Sequence, residues 1–209
     1  PSLVGSEMCI RDRRHTLKLL GCGSVSFLAL TKVWAGAQKE EYLADSVASA
    51  MSRSINNANP PRLIFPTPEA AQKWFWDMNQ RLRPYVFSAY ERRNILINLQ
   101  YEASRAGLDP QLILGLVEVE SHFHRYAISK AGARGLMQVM PFWVRQIGRP
   151  EHNLFSTRTN LRYGCTILRY YLDRDGGNLF RALGRYNGSL GKAAYPNAVV
   201  NAMRRHWLY

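Results

Sequence analysis

At 209 residues, 46% hydrophobic and 21% charged, the chain is long enough to bury a core and too apolar to be intrinsically disordered. Twenty-eight Lys and Arg against 15 Asp and Glu give a net charge of +13, scattered rather than run together. That balance fits either an anionic partner or a solvated helical surface, and no basic stripe or motif supports a nucleic-acid binder. The three cysteines, Cys9, Cys22 and Cys165, have no paired spacing and spell neither a zinc site nor a disulfide framework.

Residues 1–13 (PSLVGSEMCIRDR) resemble translated sequencing-adapter DNA and are read as an artefact outside the fold. Residues 14–37 have the shape of a signal peptide. A basic start (Arg13, Arg14, His15, Lys18) leads into the apolar run Leu19–Leu30, and Ala35-Gly36-Ala37 is a small-residue cleavage site. The run falls short of the roughly 20 apolar residues of a spanning helix. Leu19-Leu20-Gly21-Cys22 resembles a lipoprotein box, but the apolar run follows Cys22 instead of ending there. Cleavage near Ala37 and a periplasmic location are therefore expected over lipid anchoring.

Residues 38–105 read as a helical extension. An amphipathic helix is expected over Lys39 to Ile55, then a turn-rich connector, 56–66. Thr67-Pro68 opens a second helix carrying Trp74, Phe75, Trp76 and Met78, an aromatic group expected to pack rather than to stack on sugars. A third helix is expected over Tyr90 to Ala106, closed by Gly107.

Residues 106–209 read as the catalytic domain. Asp109-Pro110 is an N-cap followed by proline at the first helical position. Ile113-Leu114-Gly115-Leu116-Val117 has almost no polar surface, which predicts a buried central helix. Glu120 lies three, four and seven residues after Val117, Leu116 and Ile113, on their stripe. Glu118 is rotated about 200° from it and cannot share its site. A carboxyl in apolar surroundings has its charged form disfavoured, as a general acid requires. Later helices are expected over 142–147, 161–173, 178–183 and from Pro196 to near Trp207, with 153–160 as loop and Cys165 in the core. No stretch alternates well enough for a sheet, so the class is all-α.

Glycosidases ordinarily use two carboxylates, and here only Glu120 is well placed. The motifs add more: Glu120-Ser121, then Ser129-x-x-Gly132-Ala133-x-Gly135-Leu136-Met137-Gln138-x-Met140-Pro141, Asn160-x-x-x-Gly164, and Tyr186-Asn187 before Gly188 and Gly191. In this order they resemble the soluble lytic murein transglycosylases, with a goose-type-lysozyme-like catalytic domain. The resemblance implies cleavage of the β-1,4 bond between N-acetylmuramic acid and N-acetylglucosamine, with 1,6-anhydromuramyl ends and Glu120 as single acid and base. It also implies Ser129, Gln138, Met140, Tyr186 and Asn187 as substrate-binding residues, with Tyr186 beside Glu120. No metal, cofactor or nucleic acid is expected, and a monomer acting on glycan strands is. The competing readings are a lysozyme-type hydrolase on the same fold and a non-catalytic wall-binding module of an envelope assembly.

Overall fold

The computed structural model describes residues 38–209, so the readings of 1–13 as artefact, of 14–37 as signal peptide and of Cys22 lie outside the described residues. The chain forms α1 (Asp45–Ile55), α2 (Pro68–Leu82), α3 (Ala89–Arg105), α4 (Pro110–Ser121), α5 (Phe142–Ile147), α6 (Thr157–Arg174), α7 (Leu179–Asn187) and α8 (Ala194–Ala202). A π-helical turn, Met203–Trp207, follows α8. The described residues contain no strand, only isolated bridges pairing Arg134 with Ile128 and Val139. The all-helical class expected from the sequence is the observed one.

Local chemistry accounts for most helix starts. The side chains of Thr67, Ser88, Asp109 and Asn178 accept from the backbone N–H of Ala70, Glu91, Gln111 and Arg181 at 2.8–3.3 Å, satisfying donors that helix geometry leaves orphaned. Pro68 and Pro110 occupy first-turn positions where no N–H is required.

α4 is the buried axis, with Ile113, Leu114, Leu116 and Val117 fully covered. Gly115 lets α8 approach: a Cβ there would lie 2.7 Å from Met203 N and 2.9 Å from Val199 O. α3 and α6 are knitted through Glu102, which is wholly buried and accepts from Arg105 Nε (2.9 Å) and Arg162 Nε (3.1 Å). The same arginines reach α1, at Ser54 Oγ and Ile55 O. Trp74 and Met78 pack into the core, while Trp76 stays exposed.

Four boundaries differ from expectation, each for a tertiary reason. Residues 38–44 are not helical but form a strap, anchored by the buried Gln38 and Leu43 and by Gln146 Nε2 donating to Glu41 O at 3.0 Å. α6 opens at Thr157, four residues early, and so carries Asn160 inside its first turn. α7 continues through Gly184 to Asn187, because Gly184 faces the backbone of Leu190, 3.2 Å from where its Cβ would be. α8 starts at Ala194, with Pro196 in a first turn that tolerates it.

Candidate active site

Glu120 sits in the last turn of α4 and is 3% exposed. The Tyr195 hydroxyl, from α8, donates to its Oε1 at 2.5 Å. Oε2 is buried with no hydrogen-bond partner among the described residues. Burial pushes the carboxyl up to about 8, against the opposing effect of the Tyr195 bond. At neutral pH the acid therefore keeps its proton, the state from which it can protonate a leaving group. Burial first, and then the charge of Glu120, raises Tyr195 and Tyr186 well above the ordinary tyrosine range, so both stay neutral donors.

The chain leaves α4 through two successive left-handed residues, His122 (φ 48°) and Phe123 (φ 63°). Such a conformation is uncommon for residues with a Cβ and persists where the surroundings over-determine it. Here Ser121 Oγ donates to Leu136 O at 2.7 Å, and the Phe123 ring is buried 5.2 Å from that of Tyr85. The helix carrying the acid and the following loop are thus held in one piece.

Asn160 and Gly164, one turn apart on α6, hold that loop. Asn160 Oδ1 accepts from Met137 N at 2.7 Å, and its Nδ2 donates to Arg134 O (2.7 Å) and Leu154 O (2.9 Å). A Cβ at Gly164 would fall 2.2 Å from the sulfur of the buried Met137. Gly135, at φ 76°, is excluded from substitution twice over, by its backbone and by Asn160 Nδ2 at 2.4 Å. These motif residues act on backbone, not on solvent.

The expected substrate-binding residues divide. Tyr186 lies within the electrostatic influence of Glu120, but its hydroxyl donates to Met137 O at 2.8 Å. Gln138, 2% exposed and at φ 48°, directs its Nε2 to Gly135 O (2.9 Å) and Ala127 O (3.2 Å). Ser129 Oγ accepts from Ala133 N at 3.1 Å within its own turn. Met140 is half-buried. Asn187 is nearly buried at the end of α7, and its Nδ2, like Ser189 Oγ, has no partner among the described residues. Those two groups and Glu120 Oε2 are unspent hydrogen-bonding capacity, which buried polar atoms rarely keep without a use.

Two residues had no signal in the sequence. Tyr195 touches the acid from 75 positions away. Gln38 reaches the loop from the strap: its Oε1 accepts from Trp143 Nε1 (2.9 Å) and Met140 N (3.3 Å), and its side chain also meets the Tyr186 hydroxyl. Two other acids of the domain, Glu118 and Asp175, are tied down elsewhere. Glu118 accepts from Tyr85 Oη, His206 Nδ1 and Trp207 Nε1 at 2.7–3.0 Å. Asp175 is held by Arg181 and Arg185. His122 and His124 are exposed, and Cys165 is fully buried with its thiol pushed up by burial.

Known proteins resemble this chain in the same region. A transglycosylase of Enterobacteria phage PRD1 is 33% identical over 105 residues, covering 47% of this chain and 38% of that protein. The membrane-bound lytic murein transglycosylase C of Haemophilus influenzae (strain PittEE) is 51% identical over 115 residues, 47% of this chain and 32% of the relative. That of Histophilus somni (strain 2336) is 36% identical over 105 residues, 43% and 29%. The chain thus spans about a third of the length of these curated relatives. The solved lytic transglycosylase Slt of Pseudomonas aeruginosa, an inactive mutant, is 20% identical with a TM-score of 0.42, covering 79% of this chain and 34% of that one, a likeness too loose to argue from. The family profile described as "Transglycosylase SLT domain" matches residues 97–204, just over half of the sequence. That span takes in Glu120, the 135–138 loop, Asn160, Tyr186 and Tyr195, and the chain belongs to the transglycosylase SLT domain family.

Proposed function

We propose that the chain is a lytic transglycosylase that cleaves the bond between N-acetylmuramic acid and N-acetylglucosamine in peptidoglycan. The observation that carries this is Glu120 itself: buried, protonated at neutral pH, with one oxygen held by Tyr195 and the other unspent. Its two influences, burial and the Tyr195 hydroxyl, include no second carboxylate. That supports a mechanism in which one acid acts twice.

Protonated Glu120 gives its proton to the glycosidic oxygen as the bond to the muramyl anomeric carbon breaks. The resulting carboxylate takes the proton of the muramyl C6 hydroxyl as that oxygen bonds to the same carbon. Glu120 is regenerated, no water is consumed, and a 1,6-anhydromuramyl end forms. Tyr195 stabilises the carboxylate between the two transfers, because a hydrogen bond to the charged form favours it. Asn187 Nδ2, unpaired and nearly buried, is suited to a substrate carbonyl such as an N-acetyl group. Ser129 and Gln138 contribute by holding the loop, and Met140 by lining the cleft.

The protein works in the cell envelope, which the export-like pattern of residues 14–37 and the membrane-bound description of its relatives support. Among the described residues no helix is long and apolar enough to cross a membrane. Mass spectrometry of digested sacculi tests the chemistry. Ends lighter by one water than hydrolysed ends are expected, and reducing ends would make the protein a hydrolase. The Glu120→Gln variant is expected to release no glycan; retained release would remove Glu120 from the mechanism.

A further inference from the structure

α6 holds the loop beside Glu120 with one face, through Asn160 and Gly164. At about 3.6 residues per turn, Thr166, Arg169, Tyr170 and Asp173 fall on its opposite face. There they line a groove of about 740 Å³ whose other walls are α1 and the end of α3. The α1 wall lies outside the matched span 97–204, so the groove exists only where the family domain meets the segment before it. Its size is that of ordinary small-ligand sites, about 300–1,000 Å³.

The lining has two chemistries. Val47, Ala50, Met51 and Ala106 give it an apolar floor, packed at Val47, Met51 and Ala106 against the core. Beside them Ser54 Oγ lies 3.3 Å from Thr166 Oγ1 and accepts from Arg105 Nη1 at 2.9 Å, so two hydroxyls and a guanidinium meet. Arg105 pairs with Glu102, which also serves Arg158 and Arg162. Three cations on one carboxylate leave positive charge over. Arg169, one turn past Thr166, gives a donor to the exposed Asp173, while its Nε is buried with no hydrogen-bond partner among the described residues. Buried polar atoms rarely go without a partner, and a guanidinium fork matches the oxygens of a phosphate. The donors call for an anion and the floor for hydrocarbon. Sugar rings supply neither, and a small inorganic anion would leave the floor in water.

We propose that this groove binds one molecule of a single-chain anionic phospholipid. Arg105 and Arg169 take the phosphate, and the acyl chain lies along the floor between α1 and α6. Bound there, the lipid joins the two helices and stabilises the fold, as any ligand does that binds only the folded state. Neither the lipid nor its site depends on the peptidoglycan reading.

The test titrates the full chain by calorimetry with monomeric lysophosphatidylglycerol, a phosphate head on one acyl chain. One saturable equivalent is expected, together with a raised melting temperature. Affinity should fall about tenfold in Arg169→Ala, the loss typical of one charge-assisted hydrogen bond. Ala50→Trp, at an exposed position of α1, fills the floor and leaves every arginine in place. It should weaken binding by a similar factor while melting like wild type without lipid, and it serves should Arg169→Ala fold poorly. Lysophosphatidylcholine, whose head is neutral overall, and glycerol phosphate, which has no chain, should each bind about tenfold more weakly or worse. Glycerol phosphate bound as tightly as the lipid would make this a plain anion site, and lysophosphatidylcholine bound as tightly a plain apolar one. Either result overturns the proposal, as does an affinity unchanged in both variants. A groove that ignores the lipid but takes a model acidic amphipathic peptide, and loses it in Arg169→Ala, belongs to a protein partner and overturns it as well.

Discussion

Replacing Glu120 by glutamine should stabilise the protein while abolishing its reaction, and the gain should grow with pH. Glutamine keeps the acceptor for Tyr195 and puts an amide where Oε2 has no partner. Folding raises the carboxyl from 4.5 to about 8. Each tenfold change in proton affinity is worth about 1.4 kcal/mol, so ionised Glu120 costs the folded state up to about 5 kcal/mol. The sign follows from proton linkage. Below pH 4.5 the group is protonated in both states and costs nothing; between 4.5 and about 8 the unfolded chain ionises first, and stability falls as pH rises. Chemical denaturation of wild type and Glu120→Gln from pH 4 to 9 measures this directly. The two should nearly coincide at pH 4 and differ by several kcal/mol at pH 9, with the variant the more stable. A constant difference across the range, or a wild type that gains on the variant with pH, would refute the burial of the Glu120 carboxyl and the general-acid role built on it.

Tyr195→Phe removes the bond that lowers the Glu120 carboxyl. At about 1.5–3 kcal/mol for a charged partner, the alkaline limb of the rate profile should move up by about one to two pH units, with kcat reduced; a limb unmoved or moved down contradicts the assignment. Asn160→Ala leaves Met137 N and Leu154 O without their partner, while Arg134 O keeps Val139 N, so denaturation should show a loss of about 2–4 kcal/mol, and glycan release should fall with it. Gln38→Ala strips Trp143 Nε1 and Met140 N of their acceptor. A loss of about 1–3 kcal/mol is expected in denaturation, with kcat falling more than KM changes; wild-type stability would show that the strap is ornamental.

The carboxyl proposed to carry the reaction was legible because it obeys a local rule. Glu120 falls on the Ile113–Leu116–Val117 stripe at helical spacing, and the same geometry turns Glu118 away, to Tyr85, His206 and Trp207. Caps and prolines likewise announced the starts of α2, α4 and α7, since the groups that satisfy a helix end lie within three residues of it. Where sequence and structure parted, distant anchors decided. The strap 38–44 has the composition of a helix, but its side chains and carbonyls are claimed by Trp143, Met140 and Gln146. α6 opens early, which places Asn160 where it can hold the loop.

The amino-acid sequence by itself determined that the chain is helical, where its central helix lies, and which acid that helix delivers, because each rests on periodicity or on neighbours a turn away. Only the tertiary structure decided the state of that acid and the company it keeps. Its proton affinity depends on burial by α4, α7 and α8 together, and Tyr195 and Gln38 reach the site across 75 and 100 positions of chain. Hydrogen bonds of that range have no period and no fixed spacing. They exist because closing the core leaves a buried donor or acceptor in need of a partner, and folding brings the nearest one to it.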